Sequence, residues 1–355
     1  MEIKKGNWKN LDEMIELADL VFRPKEKSMR IETPIMYSRE NIEKGNTFII
    51  IEDKKIVSFV GLVEEEIVVY GYKTKIGEIG NVCTHPDYRG KGYASILLQK
   101  AIEKAKSDKI AYLMISGSRS LYKRIGAVSM PFYFYQVKSK TNKKVDFKIT
   151  RYKNEIYRDC MKIYQKEPVR FIRERDFSSL FSLYNGEYRR KVMHCLSKIW
   201  VIQKDKEMLA YWAEGERKGV INIGYNREYA GLRKFLFEAW KSKKGIRNIF
   251  VPLWDKELHS FLGKKKEIRE MGTVLLLKPE VLFSSLNGFF KERGINFSYE
   301  KERNKFIIKA NKEEKVFTQF SSFCEFLFCS NGKFPEGIWK EILPIPIPSY
   351  GLNYA

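Results

Sequence analysis

The chain has 355 residues, of which 44% are apolar and 14% aromatic, which suits two or three packed domains and excludes a disordered polymer. Its net charge of +22 would attract an anionic partner such as a cofactor phosphate, nucleic acid or an anionic membrane, but the lysines are interspersed with acids nearly everywhere, which reads as a basic surface spread over the whole chain. No apolar run approaches the ~20 residues of a membrane span, the N-terminus lacks a leader's apolar core, and five scattered cysteines without a CxxC pair suit the cytoplasm and argue against a metal site.

In chain order, Leu11, Met14, Ile15, Leu17, Ala18 and Val21 recur at helical spacing and predict a first helix over 11–21. Residues 47–52 and 56–63 read as a hairpin about Asp53-Lys54-Lys55, with Glu64-Glu65-Glu66 as its solvated end. Strands are expected at 67–72 and 75–84, with Gly71 near the bend between them. A helix over 92–106 follows, then a strand at 110–116. A short helix at 118–124 stops at Gly126. A strand at 132–138 closes the unit, and the Lys-rich stretch 138–144 reads as a linker.

The order then partly repeats. Strands at 199–203 and 208–214 flank Lys204-Asp205-Lys206. A strand at 220–225, a helix at 229–243, a strand at 246–252, a helix at 255–262 and a strand at 271–277 follow. We read this as a tandem duplication. A third segment begins at Pro279, with a helix at 280–292, strands at 295–300 and 305–309, and a helix at 321–328. It ends in a Pro-rich arm over 343–348, where alternating proline enforces an extended course. The expected fold class is α/β (α+β), with two tandem mixed-sheet domains at 1–140 and 145–278 and a small α+β domain at 279–355.

The decisive stretch is Ile79-Gly80-Asn81-Val82-Cys83-Thr84-His85-Pro86-Asp87-Tyr88-Arg89-Gly90-Lys91-Gly92-Tyr93-Ala94, which runs from a strand through a turn into a helix start. Two glycines at that junction let the backbone approach a ligand without Cβ interference. The unpaired N–H groups of the first helical turn and the helix dipole make an anion site. Arg89 and Lys91 add positive charge, so a pyrophosphate is a natural occupant. The spacing is neither the Walker pattern nor Gly-x-Gly-x-x-Gly, which counts against a nucleotide triphosphatase or a dinucleotide enzyme.

Arg89-Gly90-Lys91-Gly92-Tyr93-Ala94 resembles the Arg/Gln-x-x-Gly-x-Gly/Ala signature of the GCN5-related N-acetyltransferase (GNAT) superfamily, and residues 82–88 resemble that family's fourth strand and its exit. The resemblance implies acetyl-CoA as cofactor. Its pantetheine arm would meet the 82–84 stretch (Val82, Cys83, Thr84), using backbone groups of Val82 and Thr84, and its pyrophosphate would meet the amides of Arg89, Gly90, Lys91, Gly92, Tyr93 and Ala94. His85 and Pro86 read as turn formers. Tyr122 matches the tyrosine that such enzymes place beside the cofactor sulfur, as general acid. Glu78 shares a face with Gly80 and Val82 by period two and is a candidate base. No cysteine lies where a nucleophile is needed, so transfer within a ternary complex is expected.

The whole layout resembles the enhanced intracellular survival family of aminoglycoside acetyltransferases, whose third domain is similar to a sterol carrier protein. That resemblance implies a C-terminal carboxylate, here of Ala355, reaching the first active site, and ring-like hexamers. The acceptor it suggests is an amine of a small polycation such as an aminoglycoside, or a lysine side chain. The short third segment and the small Ala355 depart from that family. The second unit has Asn226-Arg227-Glu228-Tyr229-Ala230-Gly231 where the signature would fall, so it is expected to serve as scaffold. The rival reading is a basic RNA- or protein-binding module that keeps acetyl-CoA as a ligand. No RNA-binding motif appears, so neither nucleic acid nor a membrane is among the expected partners.

Overall fold

The computed structural model describes residues 1–173, 177–178, 181, 196–217, 219–224, 228–264 and 266–351. The first unit contains β1 (Glu2–Lys5), α1 (Leu11–Phe22), α2 (Met29–Glu32), α3 (Arg39–Glu43), β2 (Thr47–Glu52), β3 (Lys55–Val69) and β4 (Tyr72–Thr84). It continues with α4 (Tyr93–Ser107), β5 (Tyr112–Ile115), α5 (Ser120–Arg124) and β6 (Val128–Ser139). The second holds β7 (Lys148–Arg151), α6 (Tyr157–Tyr164), β8 (Val169–Phe171), β9 (Leu196–Lys204), β10 (Glu207–Arg217), β11 (Val220–Ile223) and β12 (Tyr229–Gly231). It ends with α7 (Arg233–Ser242), β13 (Gly245–Pro252), α8 (Lys256–Leu262) and β14 (Glu267–Leu276).

The two units form one mixed sheet of 14 strands, ordered β1-β2-β3-β4-β5-β14-β6-β13-β11-β10-β9-β7, with β12 against β10 and β8 against β3. Its centre is an exchange. The last strand of the second unit, β14, lies antiparallel between β5 and β6 of the first. In return, β6 lies antiparallel to β13. The fit of β14 is tight: a Cβ on Gly272 would lie 2.5 Å from the Ile115 carbonyl oxygen, and φ there is +118°. Only glycine meets both conditions at low cost.

Duplication extends to local geometry. The hairpins β2–β3 and β9–β10 both turn on two residues in the left-handed region, Asp53-Lys54 (φ 49° and 63°) and Asp205-Lys206 (φ 49° and 70°). That is the backbone a two-residue hairpin loop needs, and aspartate tolerates it well. Elsewhere the expected boundaries change. Glu64-Glu65-Glu66 does not end a strand; β3 runs through it, paired with β4. Lys75 at 2.6 Å and Lys104 at 3.4 Å neutralise Glu64, so the strand continues to the left-handed Tyr70-Gly71 turn. The helix expected over 229–243 begins as β12, which supplies edge hydrogen bonds to β10, and only Arg233–Ser242 is helical.

One sheet face of the first unit packs α4 through Leu97, Leu98, Ala101, Ile102 and Ala105 against Leu62, Ile79, Leu113 and Ile115. The other packs α1 through Leu11, Met14, Leu17 and Ala18 against Ile49, Phe59 and Val63. A third segment adds α9 (Pro279–Ser285), α10 (Asn287–Lys291), α11 (Phe320–Phe328) and the sheet β15 (Phe297–Glu302), β16 (Lys305–Ala310), β17 (Glu313–Phe317). The helix expected over 280–292 is thus two helices, with Leu286 at φ −97°, ψ 7° between them. Phe283, Phe290 and Phe323 join the core formed by Tyr112, Met114 and Val274. The Pro-rich arm has no regular structure. It buries Leu343, Ile345 and Ile347 in that core, and Ile345 N–H donates to the Leu327 carbonyl at 2.8 Å. Among the described residues no helix is long and apolar enough to cross a membrane, and no group of three His, Cys, Asp or Glu could hold a metal ion.

The exchange predicts that a fragment ending at residue 140 lacks the strand between β5 and β6. It should show no cooperative thermal transition by circular dichroism, whereas the full chain should melt cooperatively. A fragment that melts like the full chain would mean β14 is dispensable.

Candidate active site

The site forms where two parallel strands part. β4 and β5 pair at Gly77–Leu113, Glu78–Met114 and Ile79–Ile115, and the pairing ends there. On its other edge β4 carries a bulge: Cys83 faces Phe59 and Gly80 faces Gly61, so β4 holds one residue more than β3 over this interval. A bulge bends and twists its strand. Asn81 sits in it at φ +53°. Its side-chain amide donates to Thr33 Oγ1 and to the Tyr37 hydroxyl, both at 3.0 Å. Burial raises the Tyr37 hydroxyl well above the ordinary phenol range, so it stays neutral in that role.

The parted strands border a cavity of about 240 Å³. Phe22, Arg23, Met29, Glu32 and Thr33 close one side; Ser116, Gly117, Arg119 and Tyr122 close the other. Tyr122 lies on α5 and is buried. A Cβ on Gly117 would lie 2.9 Å from its Cε2, so glycine there gives the ring its place. Gly117 is itself held from the second unit, because Thr273 Oγ1 on β14 donates to its carbonyl at 3.0 Å. Glu32 is not a free carboxylate. Arg23 grips it through Nε at 2.8 Å and Nη2 at 2.7 Å, and Ser28 Oγ donates to it at 2.6 Å.

Beyond the bulge, His85 Nδ1 accepts from Asp87 N–H at 3.4 Å and shapes the turn. Gly90 and Gly92 have φ +82° and +80°, and a Cβ at either would meet nothing within 4 Å. The open space lies beside a helix start. The first amides to bond back are Ser95 and Ile96, both to the Gly92 carbonyl, so Tyr93 and Ala94 precede the ladder. Arg89 and Lys91 are exposed there. Lys91 lies 3.3 Å from Glu52 and 4.7 Å from the Tyr88 ring centroid. The Tyr93 hydroxyl also donates to Glu52, and this bond, with Lys91, holds that carboxyl below its ordinary range.

Two expected positions change. Val82 packs in the α4-side core with Ile79, while Ile76 packs opposite, with Tyr112. Glu78 alternates with Ile79, and its charge raises the Tyr112 hydroxyl further beyond what burial does. Glu78 and Val82 therefore lie on opposite faces, because the extra residue of the bulge inverts the period-two pattern. Cys83 points into the α1-side core, where burial pushes its thiol up, and its carbonyl accepts from Ser58 Oγ at 3.0 Å. It has neither a reactive thiolate nor an outward carbonyl. Asn81, Thr33, Tyr37, Gly117 and the Arg23–Glu32 pair were not expected from sequence. Only Asn81, a residue type that enters the left-handed region, carried a signal. The terminal residues 352–355, including Ala355, lie outside the described residues, as do Asn226 and Arg227.

In the second unit the matching junction has no loop. β12 reaches α7 through Leu232 alone, where the first unit has residues 85–92. An internal carboxylate fills the turn: Glu167 accepts from Gly231 N–H at 2.7 Å and pairs with Arg233, which also grips Asp255 at 2.9 Å.

Residues 2–129 match the acetyltransferase (GNAT) domain family, and the first unit is an acetyltransferase domain of that class, whose members use acyl-CoA. No curated protein matches the chain. Solved structures that share its fold include the following three. A conserved protein of Enterococcus faecalis V583, a probable N-acyltransferase, has a TM-score of 0.62 at 15% identity, covering 89% of this chain and 84% of its own. A GCN5-related N-acetyltransferase from Anabaena variabilis ATCC 29413 has 0.62 at 13%, with the same coverage. Eis1 from Mycobacterium abscessus has 0.57 at 10%, also over 89% and 84%. At such identities the likeness speaks to fold, and it spans both units.

The bulge predicts a graded response at residue 81. Asn81→Leu loses two hydrogen bonds and keeps an unfavourable φ, so it should cost about 2 kcal/mol in urea melts. Asn81→Gly relieves the φ and should cost less than Asn81→Leu. Equal stability of the two variants would show that the left-handed conformation is not what residue 81 supplies.

Proposed function

We propose that the first unit moves an acetyl group from acetyl-CoA to a primary amine, by direct attack within a ternary complex. The observation that carries this reading is the crevice between β4 and β5, with Tyr122 on one wall and the Gly90–Gly92 helix start beyond its end. The residues fit an acyl-CoA: an open two-glycine turn, free helix-start amides and two exposed cations suit its pyrophosphate. The amides of residues 90–94, with the side chains of Arg89 and Lys91, would hold it; the Arg89 amide itself donates to the Pro86 carbonyl at 3.2 Å. Backbone groups of Val82 and Thr84 would hold the pantetheine arm. When bound, the thioester supplies an activated acyl carbon.

Tyr122 then acts as general acid, giving its hydroxyl proton to the departing sulfur. Its burial excludes water from that transfer, and Gly117 fixes its ring. The acceptor ammonium must lose a proton before attack. Glu78 and the carboxylate of Ala355 are the two candidate bases. Of the arm's described end, Tyr350 is buried in the core that holds Tyr112 and Met114, and Gly351 lies against Glu228 of the second unit. The cavity of about 240 Å³ is lined by Arg23, Arg119 and a Glu32 already paired. It therefore suits one amine-bearing arm, as of a lysine or the end of a polyamine, better than a whole aminoglycoside.

Tyr122→Phe should lower kcat by about 10²–10³-fold with little change in the KM for acetyl-CoA. An assay following release of free coenzyme A over a panel of amines measures both. Unchanged turnover would remove Tyr122 from the acid role. Glu78→Gln and deletion of residues 353–355 separate the two bases, since only loss of the true base should lower kcat by about 10²-fold. If neither change lowers kcat, neither carboxylate is the base.

A further inference from the structure

In the second unit, β9, β10, β11 and β13 meet the end of α7 and the 142–149 segment around a cavity of about 580 Å³. Five cations line it, Lys143, Lys198, Lys243, Lys244 and Arg247, against two carboxylates, Glu214 and Glu216. Both carboxylates are engaged. Glu214 is buried and accepts the indole N–H groups of Trp200 at 2.8 Å and Trp212 at 2.9 Å. Glu216 lies 3.9 Å from Lys198.

Arg247 is 2% exposed. Its Nη1 donates to the Lys243 carbonyl at 2.7 Å, and its buried Nε has no hydrogen-bond partner among the described residues. Lys243 Nζ lies 3.3 Å from the Trp200 ring centroid, and the Arg151 guanidinium lies 5.2 Å from it. Burial holds both Lys243 and Arg247 below their ordinary ranges, and Arg247, Lys198 and Arg151 add like charge around Lys243. A buried guanidinium N–H without an acceptor is costly, and so is an excess of like charge behind low-dielectric walls.

We propose that this cavity is an anion site that takes a phosphoryl group, free or as a phosphate ester, between Arg247, Lys243 and the lysines of the rim. An oxyanion supplies the negative charge that Glu214 and Glu216 leave short among the five cations of the lining. The guanidinium fork suits a phosphate, and the lysines suit its remaining oxygens as point charges. The Trp200 ring is covered by Lys243 and stacks on Trp212 at 6.2 Å, so it serves as a cation platform and not as a stacking surface for a base. The site is distinct from the Arg89–Ala94 loop and does not depend on the chemistry of the first unit.

The test is isothermal titration of the full chain with sodium pyrophosphate at low salt, in an Arg89→Ala background that weakens the first unit's own pyrophosphate loop. Saturable binding is expected. Lys243→Met should weaken it by about tenfold. Glu214→Gln keeps a hydrogen-bond acceptor for the indoles but removes the competing charge, so it should tighten binding several-fold. If Lys243→Met misfolds by circular dichroism, the exposed Lys143→Met and Lys244→Met carry the same comparison. Adenosine triphosphate as a second probe separates the ester from the free oxyanion by which binds more tightly. No saturable binding to the Arg89→Ala chain overturns the proposal. Equal affinity of the Lys243→Met and Glu214→Gln variants to that background, with folded spectra, does the same.

Discussion

Strand β14 is the member on which both halves depend. It fills the gap between β5 and β6 with backbone hydrogen bonds to each, and it buries Val274, Leu275 and Leu276. Each such side chain contributes about 1.5–3 kcal/mol when fully buried. The approach is close enough that Gly272 must lack a side chain, and one residue on, Thr273 reaches the Gly117 carbonyl. Gly117 in turn gives the Tyr122 ring its space. A second-unit strand therefore sets the wall of a first-unit crevice. This coupling explains why a unit with no cofactor loop of its own remains part of the working fold.

The two units answer the same electrostatic problem in different ways. A helix N-terminus presents unpaired amides and a partial positive charge. In the first unit the glycine turn leaves these open to an outside anion. In the second, Glu167 meets the turn, with Arg233 and Asp255 completing a buried cluster. A second buried pair, Arg173 with Glu228, is joined by the Tyr211 hydroxyl. Ion pairs taken out of water contribute little net stability, because desolvation offsets attraction. What they do impose is position: breaking one partner leaves a buried charge, so the cluster fixes how β12, α7 and the α6–β8 turn sit together. Gly351 lies against Glu228, which ties the path of the C-terminal arm to the same cluster.

The parts of this arrangement that were legible in sequence are local ones. The loop from Arg89 to Ala94 states its own geometry, since glycine at two left-handed positions before an amphipathic helix has few other uses. The hairpin turns at Asp53 and Asp205 are legible for the same reason. The bulge is less so. Asn81 acts through Thr33 and Tyr37, residues remote in sequence, and its extra position silently moves Glu78 to the face opposite Val82. The glutamate run at 64–66 misled because its neutralising partners, Lys75 and Lys104, arrive from β4 and α4. The strand exchange could not be read at all, because β14 has the pattern of any buried strand and its partners lie more than a hundred residues upstream.

The charge of +22 looks different once the fold is known. Spread evenly, it would be a property of the surface alone. Instead, the Arg23–Glu32 pair balances charge in the first-unit crevice, and Arg89 is exposed beside the helix start, where Lys91 is shared with Glu52. In the second unit the helix start is balanced by Glu167, and surplus cations gather instead around Arg247, behind the tryptophans of β9 and β10. Duplication gave both halves one sheet and one connectivity. What distinguishes them is where each leaves positive charge without a partner of its own, and that is the property by which an anionic ligand would tell the two apart.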